Sequence, residues 1–441
     1  MEMVIVVTKK TDKEIENNKK VVKKSKKVSN KKDNKDKKNV VKEIVSKDKE
    51  VYSVRDVIVI MLFSLAIGFI MCFGCMSLIV GKNYISVVND LDKVVDTYYA
   101  IVDNYYGDLD RDKLVDAAVK GMISSVGDTF TSYSDAESTL SFDETINGSY
   151  EGIGCSVATY SDGRIIIIEI FENSPADKAG LKVGDQVIRV DNESYDDKDS
   201  NDLSNYIKNS GKEKVVLTIV REDSEMDISI NLSKVDIPYV SGKIIEKDDN
   251  RIGYISISLF ADNSYKQFKN KLEELEDDGI DSLIIDVRSN SGGYLTSATD
   301  ISNLFLEKGK VINQLVDSEG DKPKTKKDNT KDKRTYDVVV LIDGASASAS
   351  EILASAIKES YGGLVVGVTS YGKGTVQQTK KLLDGSMIKY TTQKWLTPNG
   401  ECVDGVGVVP TNEVVLSSEY VINPSMDTDN QLQEAINLLI K

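Results

Sequence analysis

The chain has 441 residues, 40% of them hydrophobic, with 30 glycines and 6 prolines; this is an ordinary globular mixture, and it excludes a chain disordered throughout. The formal net charge of -15 is unevenly spread: Met1–Glu50 holds 17 lysines against 9 acidic residues, about +8, and the remainder carries about -23. Histidine is absent, which excludes a Ser-His-Asp triad, a Cys-His pair and any His-ligated metal site.

Residues 1–56 read as a solvated, lysine-rich cytoplasmic tail that sets topology, in preference to a nucleic-acid-binding arm. Val57–Gly81 follows as 25 residues without a charge, enough at ~1.5 Å per residue to cross a hydrocarbon core of ~30 Å as a transmembrane helix. The apolar run is longer than a cleaved signal peptide's core and lacks its flanks. The preceding lysines keep the N-terminus cytoplasmic and place everything after Lys82 outside, extracellular or, where a second membrane exists, periplasmic. Cys72 and Cys75 form a CxxC pair within this run; with no second pair and no histidine they read as two lipid-embedded thiols, not as a zinc or redox site. Cys155 and Cys402 stand alone in sequence, and whether they pair stays open.

Residues 82–147 form a helical region with two amphipathic helices broken at Gly107. Residues 148–234 contain short β-like runs, "GCSVATY", "RIIIIEIF", "DQVIRVD", "KVVLTIVR" and "DISINL". Between them "SPADKAGLKVGDQVIRVD" gives a strand, a short helix starting at Pro175 and ending at Gly180, and a further strand. This stretch resembles the PDZ fold. The resemblance puts "YEGIGCSV" in the carboxylate-binding loop, where the backbone of Gly152, Ile153 and Gly154 would hold a peptide's C-terminal carboxylate; the less favoured alternative is that the two glycines only shape a tight turn.

Residues 235–441 alternate buried strands with helices, which implies a parallel sheet whose ligands lie at the carboxyl ends of its strands. "DSEGDKPKTKKDNTKDKRTY" reads as a solvent-exposed insertion loop. In "GASASASEILASA" a strand gives way to a helix, and the Ser348-x-x-Glu351 spacing fits a capping box, so Ser348 sits at a helix N-terminus. The free amides and dipole there would also favour a nucleophile, but a hydroxyl fully engaged in capping cannot attack. Without histidine the base must be another group. Lys373, between Gly372 and Gly374 after an apolar strand, is the candidate, although the residues alone favour a surface-turn lysine.

"SASASEILASAIKES", "VVGVTSYGKGTVQ", "GMISSVGDTFTSY", "DVRSNSGGYL" and "TPNGECVDGVGVVPT", together with the PDZ signature, resemble the carboxyl-terminal processing, or tail-specific, proteases over most of Leu91–Lys441. The resemblance implies an α/β fold: a membrane-anchored chain with an N-terminal helical segment, a β-rich PDZ domain and a crotonase-like α/β protease core. It implies Ser348 as nucleophile, Lys373, 25 residues on, as general base, and Gln377 orienting the lysine. An oxyanion hole would combine the N–H of Ala349 with that of Gly292 or Gly293, while Asp286, Arg288 and Asn290 read as a structural turn network. Ser291 and Thr129 stand where the family has proline. No metal and no cofactor is implied. Partners would be protein or peptide substrates with accessible C-termini and the membrane, not nucleic acid; a homo-oligomer or an activating partner stays open. An inactive PDZ adaptor and a small-molecule or acyl-transfer enzyme on the same core are the alternatives.

Overall fold

In the computed structural model, which describes residues 53–80, 84–320, 322–330 and 333–440, the uncharged run becomes helix α1, Val54–Val80. Ser53 and Asp56 open it with a reciprocal cap: the Ser53 N–H donates to Asp56 Oδ2 and the Asp56 N–H to Ser53 Oγ. Phe63, Leu65, Phe69 and Ile70 are 65–72% exposed, and no part of Val54–Cys75 is covered by protein. A helix apolar all round with no protein partner is the form that lipid solvates. Among the described residues it is the single helix long and apolar enough to cross a membrane; nearly all of the lysine-rich tail lies outside the described residues. Helices α2, Tyr84–Asn104, and α3, Arg111–Ser124, flank Gly107, and the chain divides into two compact units at Leu114.

The second unit begins within α3 and continues with β1, Ser132–Ser134, and α4, Ala136–Asn147, a helix that the sequence reading did not resolve. Asp135 caps its start by accepting from the Ser138 N–H, and Gly148 closes it at φ 69°. Strand β2, Ser149–Gly152, leads into a small β body: β3 Cys155–Thr159, β4 Ile165–Ile170, α5 Pro175–Ala179, β5 Gln186–Val190, β6 Glu193–Ser194, α6 Ser200–Asn209, β7 Lys214–Arg221 and β8 Ser224–Asn231. The sheet order is β3-β4-β5-β7-β8, with β6 on β5. Strand β9, Ser233–Asp236, returns antiparallel to β2, so the chain enters and leaves this body side by side. Helix α5 is set locally: Ser174 caps it, Pro175 occupies its first turn and Gly180 ends it in the left-handed region.

The remainder comprises β10 Val240–Lys247, β11 Asn250–Ile257, α7 Ser264–Asp277, β12 Ser282–Asp286, α8 Leu295–Asn303, β13 Val311–Asp317, β14 Lys324–Lys327, β15 Asp337–Ile342, α9 Ala349–Ala356, β16 Leu364–Gly367, β17 Thr375–Lys381, β18 Met387–Leu396, β19 Asn412–Glu413, α10 Ser418–Ile422 and α11 Asn430–Leu439. Strands β13, β14, β17 and β18 join β1 in an antiparallel sheet, and the others form the main sheet. Its order is β10-β11-β12-β15-β16-β19, parallel from β11 onward. Leu283, Ile285, Val338 and Val340 face a core closed by α7, α8 and α9, while the alternate Ile284, Val339 and Leu341 face α11. Both faces are covered, which is why these strands read as continuous apolar runs. The sequence reading of the stretch after Val316 as one polar loop needs correction: Lys324–Lys327 forms β14, paired antiparallel to β13 with Leu315 opposite Lys324. The backbone ladder, not side-chain pattern, supports this strand, since all four residues are exposed.

Candidate active site

Neighbouring parallel strands β12 and β15 run in register from Ser282 opposite Asp337 to Asp286 opposite Leu341, so the turns that follow them project from the same end of the sheet. One is the glycine turn through Gly293; the other carries the three alternating serines into α9. Two of those serines are consumed in joining the turns: Ser346 Oγ donates to the Val287 carbonyl at 2.8 Å and Ser350 Oγ to the Asn290 carbonyl at 2.8 Å, both fully buried. Ser348, between them, is half-buried at φ 55°, a region that side chains rarely adopt. Its Oγ lies toward the N3 amide of α9 without making a regular cap hydrogen bond. An amide on that side meets a lone pair of Oγ and leaves the hydroxyl proton for a base, so capping and attack do not exclude each other; the other half of the capping box does not involve Oγ.

That half is Glu351, fully buried. Its Oε2 accepts from the Ser348 N–H at 2.7 Å and from the Lys373 N–H at 2.9 Å; its Oε1 accepts from the Gly372 N–H at 2.7 Å and Ser370 Oγ at 2.6 Å. Trp395 Nε1 adds a bond to the Lys373 carbonyl at 2.8 Å. The 370–373 turn is thus fastened to the serine turn by one carboxylate. Glu351 shows in the sequence only as the end of a capping box; its second set of partners lies about twenty positions downstream.

The glycine turn packs against Ser348 because it lacks side chains. A Cβ on Gly292, at φ 110°, would lie 2.8 Å from the Ala347 carbonyl oxygen and 2.9 Å from Ser348 Cβ. The Gly292 N–H donates to Asn290 Oδ1 at 2.8 Å, whereas among the described residues the Gly293 and Ala349 N–H groups have no acceptor. Below this turn Arg288 bridges Asp286 at 2.6 Å and Asp429 at 2.8 Å; burial opposes its charge, but the two carboxylates hold it above the ordinary arginine value. The pair fastens the turn to the start of α11, which is the structural role the sequence reading gave Asp286 and Arg288.

Lys373 is half-buried, and its Nζ lies 4.7 Å from the centre of the Phe130 ring. Burial depresses its pKa, Lys389 depresses it further, and Glu351 and Asp128 oppose them. Gln377 donates to Thr375 Oγ1 at 2.8 Å and Thr391 Oγ1 at 3.2 Å, not to Lys373. Thr391 in turn donates to Asp128 Oδ2 at 2.7 Å. Phe130, Asp128 and Thr391 escaped the sequence reading; "GDTFTSY" signalled family membership there, but nothing local tied it to the lysine.

In the β body, Gly154, at φ 81°, touches Ser174 so closely that a Cβ would lie 2.4 Å from the serine's own, and its carbonyl accepts from the Phe171 N–H at 3.0 Å. The Ile153 carbonyl accepts from the Ala176 N–H at 2.8 Å. Beside this loop is a cavity of about 240 Å³ lined by Ile153, Cys155, Val157, Ile167, Leu203 and Ile207 among others. The Tyr150 ring folds over Gly152, where an added Cβ would fall 2.4 Å from it. Lys208 of α6 pairs with Glu144 of α4 and lies 5.5 Å from the centre of that ring. All four cysteines are free thiols, and burial pushes that of Cys155 up to about 12.

Comparison with known proteins gives these features a family. The sequence model of peptidase family S41 matches residues 251–414, that of a PDZ domain residues 166–221, and that of the activating protease CtpB N-terminal domain residues 80–138. The carboxy-terminal processing protease CtpB of Bacillus subtilis (strain 168) is 40% identical over 360 residues, 80% of this chain and 75% of its own. CtpA of the same organism is 39% identical over 339 residues, covering 77% and 72%, and a probable CtpA-like serine protease of Staphylococcus aureus (strain N315) is 32% identical over 322 residues, covering 73% and 64%. The chain belongs to peptidase family S41, among the PDZ-bearing carboxy-terminal processing proteases, which are serine-type peptidases.

Proposed function

We propose that the chain is a membrane-anchored endopeptidase that captures substrate C-termini through its PDZ domain and cleaves peptide bonds with a Ser348/Lys373 dyad. The observation that carries this reading is the shared carboxylate of Glu351, which braces the serine turn and the lysine turn together while leaving the Ser348 hydroxyl without a regular hydrogen bond. Neutral Lys373 takes the Ser348 proton, and Oγ attacks the peptide carbonyl carbon. The N–H groups of Ala349 and Gly293 hold the oxyanion, with Gly292 serving close approach. Collapse expels the amine, which takes the proton from Lys373, and leaves an acyl-enzyme. Water, deprotonated by Lys373, attacks the ester and releases the acid and free Ser348. Gln377 acts at one remove, through Thr391, in positioning the base side.

The organisation that goes with this reading is a tail over 1–56, a span over 57–81, a helical region over 82–147, a PDZ domain over 148–234 and a protease domain over 235–441. The span anchors the chain, and the lysine-rich tail keeps the N-terminus in the cytoplasm. Full-length wild type, Ser348→Ala and Lys373→Ala, incubated with a denatured protein bearing an apolar C-terminal tail, test the dyad. Cleavage by wild type and by neither variant is expected; cleavage surviving Ser348→Ala would sink the nucleophile, and wild-type binding without cleavage would favour an adaptor.

A further inference from the structure

The Lys373 ammonium has an unusual neighbour. Among the described residues its Nζ makes no ion pair and no hydrogen bond, and what faces it is the Phe130 ring, 4.7 Å from nitrogen to centroid. The charged groups around it are Lys389 on β18, Glu351 on α9 and Asp128 on the turn that carries Phe130. That turn is built to hold the ring still. Asp128 accepts from the Phe130 N–H at 3.1 Å and from the Thr131 and Thr391 hydroxyls, the latter at 2.7 Å. Two residues past the ring, Ser132 enters β1 and pairs with Lys389 of β18. Phe130 is therefore clamped to β18 from both sides and set under the lysine from a distant part of the chain.

We infer that Phe130 is a positioning residue for the base: its face seats the Lys373 side chain, and the Asp128 turn fixes the seat. The inference rests on the reading of Lys373 as general base. An aromatic face attracts a cation and not a neutral amine, so the ring favours the protonated, resting lysine while its bulk keeps water away. Deprotonation releases the amine toward Ser348. The ring thus sets the pH at which the base becomes available and the place from which it moves.

Replacing the ring by an apolar side chain of similar size separates these effects, since burial is kept and only the π face is lost. In Phe130→Leu the acid limb of the kcat/KM profile is expected to move to lower pH by about half a unit to one unit. Phe130→Tyr, which retains the face, is expected to restore the wild-type limb. Melting curves report whether each variant folds, and Phe130→Met reads the same shift should Phe130→Leu fail. An acid limb in a folded Leu or Met variant that superimposes on wild type, or a Tyr variant that moves with Leu, overturns the inference and leaves the dyad standing. Cleavage that survives Lys373→Ala removes the base itself, and this inference with it.

Discussion

Ser348 and Lys373 share one acceptor: the backbone N–H of each donates to the same oxygen, Glu351 Oε2, at 2.7 and 2.9 Å. A buried carboxylate that meets only donors has no room for an amide, whose NH2 would face N–H groups. Glu351→Gln is therefore expected to cost about 2 kcal/mol in stability and to lower kcat by tenfold or more, with KM little changed. Denaturant midpoints and steady-state kinetics check this; a wild-type kcat in the folded variant would show that the bracing is irrelevant to chemistry.

The depressed pKa of Lys373 fixes the sign of two pH effects. Activity needs the neutral amine, so the rate should climb as pH rises through the folded value, which lies below 10.5. Between that value and 10.5 the unfolded chain binds more protons than the folded one, so stability should rise with pH across the same window. Lys373→Met should flatten that part of the stability profile and be more stable than wild type below it. A stability gain on protonation would contradict the assignment.

Ser348 stands at φ 55°, where a Cβ is strained and glycine is not. Both Ser348→Ala and Ser348→Gly should abolish cleavage, but the glycine variant should be more stable than the alanine variant by about 1 kcal/mol. Equal denaturant midpoints would mean that the backbone relaxes once the hydroxyl is gone.

The Tyr150 ring covers Gly152, the first glycine of the loop that the PDZ reading assigns to a peptide carboxylate. A peptide would have to displace it. In an uncleaving Ser348→Ala background, Tyr150→Ala should bind a peptide with an apolar C-terminus about tenfold more tightly. Fluorescence anisotropy gives the constants, and weaker binding would make Tyr150 part of the groove instead of its stopper.

Much of this molecule is written in short-range sequence. The uncharged run gives α1, Ser174, Pro175 and Gly180 bound α5, and the Ser348-x-x-Glu351 spacing places a helix start at a strand's end. These features depend on hydrogen bonds within one turn or on a local period, so residues a few positions apart suffice to read them. Helix α4 and strand β14 were not legible, the first because polar residues blur its period and the second because only a partner strand supports it.

The base side of the site was hidden for a different reason. Asp128 and Thr391 are 263 positions apart, and the antiparallel pairings of β1 and β17 with β18 bring the Phe130 turn to Lys373. Which of three serines keeps its hydroxyl proton uncommitted was likewise decided in space, when the neighbouring turn took those of Ser346 and Ser350. The sequence by itself determined the kinds of groups available and excluded histidine chemistry; tertiary structure decided which of them meet, because contact across strands is set by register and not by spacing along the chain.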